Sequence, residues 1–136
     1  MALDLAHLVS TPDIRCLPRH QAVLVGAFRY MHLAQAARRY SRQEFALVLG
    51  SPKAVAPFHV FASAIGRAWP EPIQLNPPCQ PRLSYDEMLI LDLAAAAVNG
   101  DRKAFDWFVA EMLPAPARYL LWEAVRRFMG RFLAAA

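Results

Sequence analysis

The sequence has few of the residues from which metal sites and disulfide-built folds are made. It contains two cysteines, Cys16 and Cys79, and four histidines in 136 residues, without a paired ligand spacing. Two cysteines permit a single disulfide, and a structural zinc site needs about four clustered ligands. We therefore expect no metal, no cofactor, and reduced thiols in a cytoplasmic protein.

Long hydrophobic runs and phosphate-binding loops are also missing. The longest apolar candidate, residues 88–98, is shorter than the roughly 18 residues that a membrane span needs, and it carries Asp92. The N-terminal residues lack the basic segment of a signal peptide. No glycine-rich phosphate loop and no nucleophile-elbow motif occurs. We expect no membrane partner, and we favour a non-enzymatic protein over an enzyme.

Apolar residues, in contrast, are abundant. Hydrophobic residues make up 57% of the chain and charged residues only 19%, which is more apolar material than a small monomer easily buries. Three aromatic residues lie off the main helical stripes, namely Trp69, Trp107 and Tyr119. Aromatic side chains of this kind anchor protein interfaces. We expect an apolar partner surface that includes them, most simply in a homodimer or otherwise with another protein.

Positive charge is carried by 13 arginines and only two lysines, for a net charge of +4. The cluster of Arg38, Arg39 and Arg42 is a weaker candidate for gripping nucleic-acid phosphates. The helix dipole also favours cations at a helix C-terminus, which explains the same cluster without a ligand. The best helix-turn-helix candidate, around Asn99, carries acids in its second helix that would face phosphates. Nucleic acid is therefore the least favoured partner.

The N-terminal half has helical periodicity after an irregular segment, residues 1–18. Apolar residues recur at three- and four-residue steps over residues 19–40, which predicts an amphipathic helix. Ser41 and Glu44 form a Ser-x-x-Glu capping box that predicts the start of a short helix. Gly50 suits the C-terminal cap of that helix.

The next helix runs to about Trp69, and Pro57 indicates either a kink or a start near Ala56. Residues 70–83 are rich in proline and cannot be helical throughout, so we expect a stiff connector. Within it, residues 73–75 could be extended, pairing with the N-terminal segment or with their own copy across a dimer.

The C-terminal half predicts three more helices. Ser84 opens a second Ser-x-x-Glu capping box, and the helix that follows is apolar almost all round to Val98. Asp101 caps the next helix, which carries an apolar stripe over residues 105–112. The last helix spans about residues 117–133. Together these patterns predict an all-α fold: one domain over residues 1–136, a compact bundle of five to six helices whose two halves are joined by the Pro-rich connector.

The start of the helix at Ser84 is the alternative functional candidate. Arg82 and the amides of a helix N-terminus favour an anion, and Cys79 lies just upstream. A small-molecule or anion site, with the thiol as a candidate nucleophile, is one interpretation. The other is that Cys79 is a small apolar plug beneath a stiff connector. No residue is assigned a catalytic role.

Residues 79–97 (CQPRLSYDEMLILDLAAAA) and 58–68 (FHVFASAIGRA) resemble a small bacterial family of uncharacterised helical proteins, of alphaproteobacterial type, that is known as a domain of unknown function. Its members share a segment with cysteine, proline and arginine, then a Thr/Ser-x-x-Glu cap, and then a Leu/Ala-rich helix. The likeness covers about residues 19–112, and Cys79-Gln80 stands where the family often has paired cysteines. The resemblance implies a bacterial cytoplasmic origin and no particular activity.

Overall fold

A computed structural model of the protein describes residues 11–134. Its main elements are α1 (Arg19–Ala36), α2 (Arg42–Leu49), α3 (Val55–Ala68), α4 (Tyr85–Val98), α5 (Arg102–Val109) and α6 (Ala115–Ala134). Short 3-10 helices, Ile14–Cys16 and Pro52–Ala54, precede α1 and α3. Residues 11–134 contain no β-strand, which confirms the predicted all-α bundle and its proline-containing connector.

Side-chain caps account for three of the helix starts. The Ser41, Ser84 and Asp101 side chains accept hydrogen bonds from the amides of Glu44, Glu87 and Ala104. Pro57 is the third residue of α3. An amide at that position has no partner within the helix, so the proline needs no kink and the prediction of a start near Ala56 is close.

Three helices end in the same backbone motif, with one residue in the left-handed region. The residues concerned are Gly50 (φ 76°), Gly100 (φ 66°) and Arg38 (φ 56°). In each case the following amide donates to a carbonyl five residues back: Ser51 to Ala46 at 3.1 Å, Asp101 to Ala96 at 2.9 Å and Arg39 to Ala34 at 2.7 Å. Glycine adopts this φ without steric cost, whereas Arg38 adopts it at a cost. Because Arg38 takes this conformation and closes the motif, the first helix stops at Ala36, four residues before the predicted end.

A cluster of phenylalanine rings joins four helices in the core. The Phe58 ring of α3 lies 4.7 Å from Phe28 of α1, 4.8 Å from Phe45 of α2 and 5.4 Å from Phe128 of α6, measured between centroids. All four residues are buried. The tilted and edge-to-face arrangements are those that aromatic pairs prefer, so these contacts add to the stabilisation from apolar burial.

The proline-rich connector pairs with the segment before α1. Asp13 and Arg82 form an isolated antiparallel bridge. The Ile14 amide donates to Pro81 at 2.6 Å, and the Leu83 amide donates to Pro12 at 3.1 Å. The N-terminal segment thus does pair with the connector, although at residues 81–83 rather than at the predicted 73–75.

No single helix between residues 11 and 134 is long and apolar enough to cross a membrane. The helix α2 and the segment Pro52–Ala68, bent by 106°, meet that criterion of length and composition only as a pair.

Candidate functional site

A buried ion pair between Arg29 and Glu87 lies beneath the connector. Arg29 of α1 is 2% exposed and Glu87 of α4 is 1% exposed. The guanidinium meets the carboxylate through two bonds, Nε to Oε2 at 2.7 Å and Nη2 to Oε1 at 2.9 Å. Such a bidentate pair offsets the cost of removing both charges from water only when every other donor and acceptor is also satisfied.

The remaining donors of Arg29 hold the connector. Nη1 donates to the carbonyls of Pro77 at 3.3 Å and Gln80 at 2.7 Å, and Nη2 donates to the carbonyl of Arg82 at 3.0 Å. With the two bonds to Glu87, the guanidinium uses all of its N–H groups. The connector is therefore folded around the side chain of Arg29, a residue that the sequence analysis did not single out.

Glu87 is satisfied just as fully. Its carboxylate also accepts from the Asn76 amide at 3.2 Å and from the Ser84 amide at 2.8 Å. The Ser84 hydroxyl in return accepts from the Glu87 amide at 3.0 Å, which completes the predicted capping box. Next to it, Asp86 accepts from the Gln74 amide at 2.7 Å. Carboxylates of the chain itself therefore occupy the start of α4.

The three residues of the predicted anion site are engaged differently. The Ser84 hydroxyl donates to the carbonyl of Gln74 at 2.5 Å, and the Arg82 guanidinium donates to the carbonyl of Thr11 at 2.8 Å. The Cys79 thiol is free and exposed, as is Cys16. Cys79 is thus not a buried apolar residue beneath the connector. The Arg82 guanidinium and the Ser84 hydroxyl both form hydrogen bonds to carbonyls of the chain itself. An anion at this position remains a prediction.

The predicted interface aromatics divide into two groups. Trp69 is buried at the end of α3, so it cannot anchor a partner, and the prediction is corrected on that residue. Trp107 and Tyr119 are exposed. The Arg102 guanidinium lies 5.7 Å from the Tyr119 ring centroid, a cation–π contact that orients this ring.

A candidate functional site with a mostly apolar lining is a groove between α3 and α6, about 350 Å³ in volume. Its lining is Val60, Ala64, Arg67, Ala68, Leu113, Ala117, Leu120, Leu121 and Ala124. Val60 is 56% exposed and Leu120 is 68% exposed. Sequence reasoning missed this surface. The available signal was Leu120, an apolar residue directly before Leu121, which is buried in the core.

The arginine cluster surrounds the turn between α1 and α2. Arg38 and Arg39 follow the end of α1, where the helix dipole favours cations, and Arg42 is the first residue of α2. All three side chains are exposed. Nucleic-acid binding through them remains a prediction.

Two tyrosines and a histidine form a polar cluster beside this turn. The Tyr40 hydroxyl and Nε2 of His59 lie 2.5 Å apart, and the Tyr30 hydroxyl donates to Glu44 at 2.8 Å. Burial raises the pKa of Tyr40 and lowers the pKa of His59, and the charge of Arg42 further lowers the pKa of His59. Both Tyr40 and His59 are therefore neutral near pH 7, and their hydrogen bond is one between uncharged groups.

Residues 11–134 contain no group of three or more His, Cys, Asp or Glu side chains placed to hold a metal ion. Comparison of the sequence with protein-family models and with curated proteins, and comparison with solved structures, found no match. The geometry of the chain itself is thus the basis for a functional proposal.

Proposed function

We propose that this chain is a non-enzymatic interaction protein that associates with a second copy of itself through the α3–α6 groove. The observation that carries the proposal is the exposure of Val60 and Leu120 beside a hollow lined by alanines. Water contact with these side chains is unfavourable, and a contiguous apolar surface of this kind typically marks an interface.

The shape of the groove favours a second copy as the occupant. A twofold interface must be self-complementary, because the same surface lies on both sides. Here the projecting side chains of Val60 and Leu120 and the alanine-lined hollow belong to one face. Leu120 of one copy can fill the hollow of the other, where Ala64 and Ala117 leave room for close approach. Among residues 11–134, Arg67 is the only charged residue of this lining.

The proposal is tested by the mass of the protein in solution before and after Leu120→Glu. The unchanged chain should be a dimer in sedimentation analysis, and the variant should be a monomer, because a carboxylate would be desolvated inside the interface. Leu120 is 68% exposed in the single chain, so the variant should keep its circular dichroism spectrum and melting temperature.

Trp107→Glu provides the matched control. Trp107 is also an exposed apolar residue, but it belongs to α5 and does not line the groove. The proposal requires that this variant stays dimeric. A monomeric unchanged chain, or a dimer that Trp107→Glu dissociates while Leu120→Glu leaves it intact, would overturn the assignment to the groove.

We also propose membership of the bacterial family described above and a cytoplasmic location. The pattern of residues 79–97 supports the first proposal, and the two free, exposed cysteines support the second. Cell fractionation after alkylation of thiols should recover the protein in the cytoplasmic fraction with Cys16 and Cys79 both labelled. Recovery as a disulfide-linked or exported protein would contradict the location.

A further inference from the structure

A second cavity lies where three helix ends converge, remote from the α3–α6 groove. It is formed by the first turns of α1, the last turn of α2 and the end of α6, with a volume of about 460 Å³. Its lining is Arg19, His20, Val23, Leu47, Val48, Leu49, Gly50, Phe132 and Leu133. Sites for small molecules usually have volumes of roughly 300–1,000 Å³, so this cavity has the size of a binding site.

Most of this lining is apolar. Leu49 and Phe132 are buried beneath the cavity, whereas Leu47 at its edge is 82% exposed, the largest value among the exposed large apolar side chains of residues 11–134. A ligand with an apolar portion that covers Leu47 would remove this surface from water. The cavity therefore favours a molecule with a hydrocarbon part.

The charge of the lining is of one sign. Arg19 and His20 lie at one side of the cavity, and among residues 11–134 no acidic residue lines it. The first turn of α1 contains no acid either. Within residues 11–134, Arg19 forms no ion pair. A guanidinium of this kind at the rim of an apolar cavity can form a charge-assisted hydrogen bond to a carboxylate.

We infer that this cavity binds a monocarboxylate with an apolar tail. The tail lies against Leu47, Val48 and Phe132, and the carboxylate faces Arg19. The inference does not depend on the proposed dimer, because Phe132 and Leu120 lie at opposite ends of α6.

The test is a titration of the full chain with octanoate, followed by calorimetry and by amide NMR shifts. Octanoate should bind saturably at one site and shift the amides of Val23, Val48 and Leu133. Octylammonium has the same tail and the opposite charge, and it should bind about tenfold more weakly or not at all. Butyrate, with the same head group and a short tail, should also bind more weakly.

Two variants address the head group and the tail separately. Arg19→Glu should weaken octanoate binding by about tenfold, since it replaces attraction by repulsion. Leu47→Asn should weaken it similarly by removing apolar contact without adding a charge. Both side chains are exposed, so neither change disturbs the core. Arg39→Glu, an exposed arginine outside the cavity, is the control and should leave the affinity unchanged.

Four outcomes would overturn the inference. One is the absence of saturable octanoate binding below about 1 mM. Another is equal binding of octanoate and octylammonium, which would show a nonspecific apolar surface without selection for a carboxylate. The third is a set of NMR shifts that lies at the α3–α6 groove. The fourth is an affinity that falls with rising protein concentration because a second copy covers the cavity.

Discussion

The helices α2 and α4 begin with the same four-residue pattern, Ser-x-x-Glu, yet the two starts are built differently. At both, the serine hydroxyl accepts from the glutamate amide, at 3.3 Å for Ser41 and 3.0 Å for Ser84. At Ser84 the Glu87 carboxylate also accepts from the serine amide. Glu44 turns instead to the Tyr30 hydroxyl at 2.8 Å, so the predicted reciprocal box at Ser41 is wrong in that half.

Burial explains the difference. Glu44 is exposed, and water can satisfy its carboxylate in many orientations. Glu87 is 1% exposed, so each of its oxygens must accept hydrogen bonds from donors inside the protein. Arg29 provides two of these contacts and the amides of Asn76 and Ser84 provide the others. An identical local pattern thus has two outcomes that depend on what packs over it.

The largest expected effect is from Glu87→Gln. It leaves the Arg29 charge buried without a counter-charge, which should lower the free energy of unfolding by about 3–5 kcal/mol. Glu44→Gln removes an exposed carboxylate and should lower it by less than about 1 kcal/mol. Urea denaturation of the two variants measures both values.

A double variant separates the charge from the shape of this site. Arg29→Met with Glu87→Leu leaves no unpaired charge in the core, and it should be more stable than Glu87→Gln even though the connector carbonyls lose their donor. Equal effects of Glu87→Gln and Glu44→Gln would show that burial does not distinguish the two helix starts.

The serines should differ by a smaller amount. Ser84→Ala should cost about 1–2 kcal/mol, because the hydroxyl caps α4 and also donates to Gln74. Ser41→Ala should cost about 0.5–1 kcal/mol, because that cap bond is longer and exposed. The same urea denaturation measures both variants, and Ser63→Ala on the exposed face of α3 is the control. A larger loss of stability in Ser41→Ala than in Ser84→Ala would contradict this ranking.

The turn that precedes Ser41 contains a residue in the left-handed region. The chain reaches Ser41 through Arg38, whose φ of 56° is unfavourable for a side chain with a Cβ. Arg38→Gly should therefore raise the free energy of unfolding by up to about 1 kcal/mol. Arg39→Gly, outside the left-handed position, should not stabilise the protein. A loss of stability in Arg38→Gly would mean that the arginine side chain makes a compensating contribution.

The smallest effect concerns pH near the start of α2. Burial lowers the pKa of His59 in the folded state, so below about pH 6.5 the unfolded chain binds this proton more readily. The contribution of His59 to stability is present above that pH and is lost as the pH falls through the lowered pKa. Melting temperatures of the unchanged chain and of His59→Gln should converge as the pH falls from 7.5 to about 5. Parallel curves would contradict the assignment to His59.

Local chemistry predicted the ends of several elements from the sequence. Ser41, Ser84 and Asp101 cap α2, α4 and α5 as predicted, and Gly50 closes α2 as predicted. Arg38 escaped prediction because a left-handed arginine is not a recognisable stop signal. The α1 boundary was misplaced for that reason, even though the helix itself and its apolar face were predicted.

The candidate sites were much less predictable. Trp69 was predicted to lie at an interface but is buried, whereas Leu120, which no prediction singled out, is exposed. Both outcomes depend on how α3 and α6 rotate against each other, and a periodic pattern defines an apolar stripe without fixing its edges.

By itself, the sequence determined the helical class, the helix caps and the proline-rich connector, because these depend on interactions within a few residues. The tertiary structure alone decided the partner of Glu87, since Arg29 lies 58 residues away. It also decided which apolar residues remain exposed in the α3–α6 groove and in the cavity near Leu47. Contacts across that distance form only when helices pack, and packing depends on the combined shape of all the faces that meet in the core.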